Sequence, residues 1–86
     1  MKPIKYDRHA RRRMKEREVT EEEVGITMNE PEYIEPSIKE RKNAYKFINY
    51  RFLRVTFKEE YDHLLIITVT VRKKPFKGET YENRIQ

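Results

Sequence analysis

The chain has 86 residues, no cysteine and only two glycines. Without cysteine there can be no disulfide and no thiolate metal site. Gly25 and Gly78 stand alone, so no glycine-rich loop is available to cradle a phosphate chain. Ser37 is the single serine, and no Ser–His–Asp set forms around it. No apolar run is long enough to cross a membrane and no signal peptide is visible, which makes a cytoplasmic protein the expectation. His63 follows Asp62 in a predicted hairpin loop, but no third residue stands at a metal-ligand spacing from them. Neither a metal nor a cofactor is expected.

Charge is abundant. Charged residues are 41% of the chain against 36% hydrophobic, and the formal net charge is +5. Residues 1–17 carry eight Lys/Arg and two Asp/Glu; residues 18–41 carry two and eight; residues 42–86 carry ten and five. Two basic segments thus flank an acidic one. If the basic segments meet in space they make a positive face suited to phosphate. A solvated, highly charged surface is the plain account of the same counts. The length allows one small domain, read as residues 1–73, followed by a polar tail over 74–86.

Two hydrophobic periods run along the chain. A first helix is predicted from about Tyr6 to Arg17, with Asp7 as its cap or first-turn acid. A second begins at a capping box, with Thr20 as N-cap and Glu23 three residues on, flanked by Val19 and Val24 in staple positions. Pro31 ends it near Glu30. The period then changes to two. "EYIEP" (32–36) reads as a short extended piece, and "AYKFIN" (44–49), "FLRVTFK" (52–58) and "LLIITVTVR" (64–72) read as strands joined by short polar links. In the second strand Leu53, Val55 and Phe57 share a face, opposite Phe52, Arg54, Thr56 and Lys58. In the third, Leu65, Ile67, Val69 and Val71 are expected together, opposite Leu64, Ile66, Thr68, Thr70 and Arg72. The tail lacks a period; Phe76 and Tyr81 are its candidates for docking. The expected fold is α+β: two N-terminal helices packed on an antiparallel sheet of three or four strands.

The first helix carries the most informative pattern. Its core-facing positions are Tyr6, His9, Ala10, Arg13, Met14 and Arg17, so half of the stripe that should be apolar is His or Arg. Inward cations need partners or a wet cleft, because desolvating an unpaired charge is costly. Pairing with Glu22, Glu23 or Glu30 is the plain account, and Arg17 also suits a helix C-terminus. His9 and Arg13, one turn apart, place a titratable ring beside a fixed cation, a usable arrangement for phosphate. On the strands, Arg54 is a mid-strand guanidinium in an apolar segment, and Arg72 ends its strand after Thr68 and Thr70. Lys46 and Arg51 flank the first hairpin, where solvated cross-strand charge accounts for them as well. Tyr45 offers a hydroxyl donor or a stacking ring.

"HARRRMKEREVTEEEV" resembles the opening motif of the bacterial and archaeal family numbered 4258 among the domains of unknown function. The family pattern is His-Ala-x-x-Arg-Met-x-x-Arg-Gly-Ile-Thr, then acidic residues and Val. His9, Ala10, Arg13, Met14, Arg17, Val19, Thr20 and Val24 match it, and Glu18 stands where glycine is usual. "NEPEYIEP", "FLRVTF" and "LLIITVTVR" extend the likeness over about residues 6–72. The resemblance implies a RelE-like fold, similar to the RelE-like and BrnT-like toxins. Those are small ribonucleases often neutralised by an antitoxin protein. Carried over by position, the motif's polar residues fall on His9, Arg13, Arg17 and Arg54.

Two readings follow. In the first, the chain is a metal-independent endoribonuclease, in which the ribose 2′-hydroxyl attacks the adjacent phosphate. His9, Arg13 and Arg54 would be catalytic, with His9 as acid or base. Arg17, Arg72 and Lys46 would bind phosphate, and Tyr45 would donate or stack. In the second, the same basic face binds nucleic acid, or an acidic partner such as an antitoxin, without catalysis. RNA is the expected partner in the first reading. A convergence of His9, Arg13 and Arg54 in one open groove is the geometry the first requires.

Overall fold

A computed structural model describes residues 1–76. Elements follow in the order β1 (Ile4–Tyr6), α1 (Arg8–Arg17), α2 (Glu21–Asn29), β2 (Tyr33–Pro36), β3 (Lys42–Ile48), β4 (Arg51–Glu59) and β5 (Leu64–Arg72). The sheet has five strands in the order β1-β5-β4-β3-β2. Neighbouring strands are antiparallel except β1, which runs parallel to β5 through Ile4↔Leu64, Lys5↔Leu65 and Tyr6↔Ile66. This corrects the expected architecture: the sheet is larger than three or four strands, it is mixed, and a strand precedes the helices. Tyr6 therefore belongs to β1 and not to the first helix. Three residues are too few to display a period of two, and their partner lies about sixty positions away.

The remaining elements lie close to their predicted positions. Thr20 caps α2 reciprocally: its hydroxyl accepts from the Glu23 amide at 3.1 Å, and the Glu23 carboxylate accepts from the Thr20 amide at 2.9 Å. Along β4 the alternation holds. Along β5 it does not. Thr56 pairs with Thr68 but Phe57 pairs with Ile66, so Ile67 is an extra residue on β5. This bulge reverses the phase of the strand. Leu64 and Ile66 consequently point to the same side as Val69, in place of the expected Leu65, Ile67 and Val69 set.

Both helices cover one face of the sheet. Ala10 and Met14 of α1, and Val24 and Met28 of α2, pack on Ala44, Leu53, Val55, Phe57, Leu64, Ile66 and Val69. Tyr45, Phe52 and Phe76 form a separate cluster on the other face, with Tyr33 against it. Phe76, from the segment read as a tail, is 2% exposed there. Tyr81 lies outside the described residues. No helix among those described is long and apolar enough to cross a membrane.

One polar knot joins the two helices to the β3–β4 hairpin. The Glu23 side chain, buried in the fold, accepts from Asn49 at 2.6 Å and from Arg51 at 3.1 and 3.2 Å. Arg51 also donates to the main-chain carbonyls of Arg17 at 2.9 Å and Glu18 at 3.1 Å, where α1 ends. Burial pushes the Glu23 carboxyl up, but its bonds from Asn49, the Thr20 amide and Arg51 outweigh this and hold it below the usual carboxylate range.

Two positions in and near this knot strain the backbone. Glu18 caps α1 at φ 54°, in the left-handed region that glycine occupies without cost and where the family pattern has glycine. Asn49 and Tyr50 form the two-residue β3–β4 turn, at φ 53° and 64°. Asparagine tolerates that conformation; a ring-bearing side chain does not.

Three expectations follow for stability. Glu23→Ala lowers the unfolding free energy by about 3 kcal/mol, because Arg51 loses its carboxylate in a partly buried site; urea titration reads it. The Glu23 pKa is depressed in the folded state, so its charge stabilises the fold above the unfolded carboxylate pKa, and this is lost as pH falls through the folded value. The melting-temperature gap between wild type and Glu23→Gln should accordingly close in acid. Glu18→Gly and Tyr50→Gly each raise stability by about 1 kcal/mol, since relief of left-handed strain exceeds the added unfolded-chain entropy. An unchanged or lowered midpoint would refute the strain assignment at that position.

Candidate functional site

The sheet separates the residues that the sequence grouped. α1 lies on the helix-covered face, and its polar residues stay in that layer. His9 is exposed and makes no side-chain hydrogen bond among the described residues. Arg13 pairs along the helix with Glu16 at 2.7 Å. Arg17 donates to the Val69 carbonyl on β5, at the part of that strand which β1 does not cover. Arg11 lies 4.7 Å over the Tyr6 ring and pairs with Glu21 at 2.9 Å. Lys46 is cross-strand partner to the core residue Leu53, so it too projects to the helix side. There its ammonium caps α2 by donating to the Glu30 carbonyl at 2.8 Å.

Arg54 follows the opposite course. It sits between Leu53 and Val55, which both face the helices, and strand alternation sends it to the uncovered side. His9 and Arg13 are therefore divided from Arg54 by the sheet itself. The groove in which those three were expected to converge does not form.

A different set assembles around Arg54. Its cross-strand partners are Tyr45 on β3 and Thr70 on β5, and Arg72 stands opposite Phe52 one step along. The Tyr45 hydroxyl donates to the Glu35 carboxylate from β2. Burial raises the Tyr45 pKa, the Glu35 carboxylate raises it further, and the Arg54 guanidinium opposes both. Phe76 lies over this group. The guanidinium carbons of Arg54 and Arg72 are 4.8 and 4.7 Å from its ring centre, and the Tyr45 ring meets it edge-on at 5.5 Å. The Nε of Arg54 is buried without a hydrogen-bond partner among the described residues. Nearby, Thr56 donates to Asn43 at 2.7 Å, and the Phe47 and Phe52 rings stand 4.7 Å apart.

Of the residues expected at a site, the fold gathers Tyr45, Arg54 and Arg72, and leaves His9, Arg13, Arg17 and Lys46 elsewhere. Glu35 and Phe76 are the members that sequence reasoning did not assign to the site. Glu35 reaches Tyr45 because β2 pairs with β3 through Tyr33↔Tyr45 and Glu35↔Asn43, a register that short-range pattern does not specify. Phe76 had one visible signal, an isolated aromatic residue in a polar tail. Asp62 and His63 contact each other at 2.7 Å in the β4–β5 hairpin, away from this face.

The arrangement combines donors, rings and a carboxylate. A guanidinium stacked on a ring keeps its donors in its own plane, where they suit a phosphate. Tyr33, Tyr45, Phe47 and Phe52 supply flat apolar surfaces beside it. Beyond Arg72, Lys73 and Lys74 are exposed and add positive charge.

Neither the curated proteins nor the solved structures contain a match to this chain. A family model does match, over residues 6–71, from the end of β1 to the penultimate residue of β5. The matched stretch spans both helices, the Glu23 knot and the strands bearing Glu35, Tyr45 and Arg54. The chain belongs to the family described as Domain of unknown function (DUF4258).

Proposed function

We propose that this chain binds single-stranded RNA across the sheet face opposite the helices. The observation that carries the reading is the joint presence there of Arg54 and Arg72 with the rings of Tyr45 and Phe52, which are buried in one cluster with Phe76. RNA recognition commonly uses an open sheet whose aromatic side chains stack unpaired bases while cations hold the backbone. The net charge of +5 favours a polyanion, and the reading puts the protein beside cytoplasmic RNA.

Cleavage is the second reading, and one observation favours it: the contact chain Glu35–Tyr45–Arg54. A carboxylate can accept the 2′-hydroxyl proton, a phenol held protonated by its raised pKa can protonate the leaving 5′-oxygen, and a guanidinium can offset the phosphorane charge. An acidic antitoxin would be the partner expected of this version. His9 and Arg13 have no part in it, because they lie across the sheet. The exposed stripe Arg8, Arg12 and Lys15 on α1 is the competing place for a polyanion.

A labelled single-stranded RNA, titrated with EDTA present, separates these outcomes. Arg72→Ala weakens binding by roughly tenfold and lowers the slope of log K against log salt by about one. His9→Ala binds as wild type. Loss of binding in a combined Arg8→Ala, Arg12→Ala, Lys15→Ala variant, with Arg72→Ala unaffected, would move the site to α1 and refute the reading. If products form, their loss in Tyr45→Phe supports cleavage; intact RNA leaves a binding protein.

A further inference from the structure

The surroundings of Phe76 do not resemble an ordinary core site. This ring, 2% exposed and clustered with Phe52, lies against two guanidinium groups and the edge of a tyrosine. Those are the groups that hold a stacked base. Aromatic rings and arginine planes accept any flat heterocycle, with little regard to its identity. Among the described residues, no hydrogen bond ties positions 73–76 to the sheet, and Lys73 and Lys74 are exposed. Among the described residues of this segment, Phe76 is the buried one and Pro75 is half-buried.

We propose that Arg54, Arg72 and Tyr45 form a subsite for a planar nucleobase, and that Phe76 occupies it in the free protein as an internal stand-in. This rests on the RNA-binding reading and adds to it a specific position and a regulation. Burial of a phenyl ring and stacking of a base are contributions of the same order, so one can replace the other without a large net cost. When the base enters, Phe76 leaves, and the freed guanidinium edges meet the adjoining phosphate. The buried Nε of Arg54 then has an acceptor within its reach. The ring therefore competes with RNA, and its removal should strengthen binding rather than weaken it, the opposite sign from a structural role. A binding-competent fraction well below one lowers the apparent affinity by that fraction.

The chain has no tryptophan, which makes Phe76→Trp a unique reporter. In this variant, saturating oligouridylate should shift the emission to longer wavelength and increase quenching by acrylamide as the indole leaves the cradle. Phe76→Ala should bind labelled oligouridylate about tenfold more tightly than wild type, as expected if about a tenth of the molecules are open before binding. Thermal melts of both variants verify that they fold, and Phe76→Leu, which keeps apolar bulk without a stacking ring, should lie between Phe76→Ala and wild type. Oligouridylate that binds wild type normally, with unchanged indole emission and no gain in Phe76→Ala, overturns the stand-in while leaving the RNA reading intact. No binding to wild type or to any variant overturns both. Binding to Phe76→Ala alone supports both.

Discussion

The fold depends on a carboxylate that is taken out of water and then fully employed. Glu23 closes the start of α2, receives the Asn49 amide from the β3–β4 turn and holds Arg51, which in turn gathers the last carbonyls of α1. The junction of α1 and α2 is thereby fixed to a turn more than twenty residues further along the chain. The apolar contacts between helices and sheet are larger in sum, but they are tolerant of small displacements. A buried ionic knot is not tolerant, because a lost bond leaves a charge without compensation. Local sequence cooperates: the capping box sets Glu23 in its rotamer, and the turn at Asn49 and Tyr50 brings the amide and guanidinium to it.

That knot also decides which side of the sheet is left for function. With α1 and α2 secured over Leu53, Val55 and Phe57, the alternate residues of the same strand face away from them. Arg54 is thus delivered to the opposite face by the same alternation that buries its neighbours, and Phe76 lies against it there. The division has a chemical result. Acidic and basic side chains in the helix layer mostly satisfy one another or the main chain, as Arg13 with Glu16 and Lys46 with the Glu30 carbonyl do. On the opposite face, Arg54 and Arg72 instead lie against the Phe76 ring.

The sequence disclosed what is encoded within a few residues of itself. Thr20 and Glu23 announced α2, Pro31 its end, and the alternation of 52–58 the inward and outward sides of β4. Features determined by distant partners were not legible. β1 is defined by its pairing with β5, and the phase of β5 turns on one extra residue at Ile67. The candidate site shows the same limit. His9, Arg13 and Arg17 were read as part of an inward stripe, but His9 is exposed and α1 buries only Ala10 and Met14, and the side of the sheet that the helix meets is a tertiary fact. Arg54 was singled out for being odd in its strand, and it does lie at the centre of the uncovered cluster. Glu35 could be attached to Tyr45 only once the β2–β3 register was known.

β1 ends after three residues, so the margin of β5 beyond Ile66 has no neighbouring strand. Bare margins of this kind invite another chain to add on and extend the sheet from molecule to molecule. Here the Val69 carbonyl is already taken by Arg17, and the end of α1 stands beside it. An intruding backbone would have to evict a guanidinium and then accept its charge at close range. The arginine at the close of α1 thus occupies the carbonyl that an added strand would need.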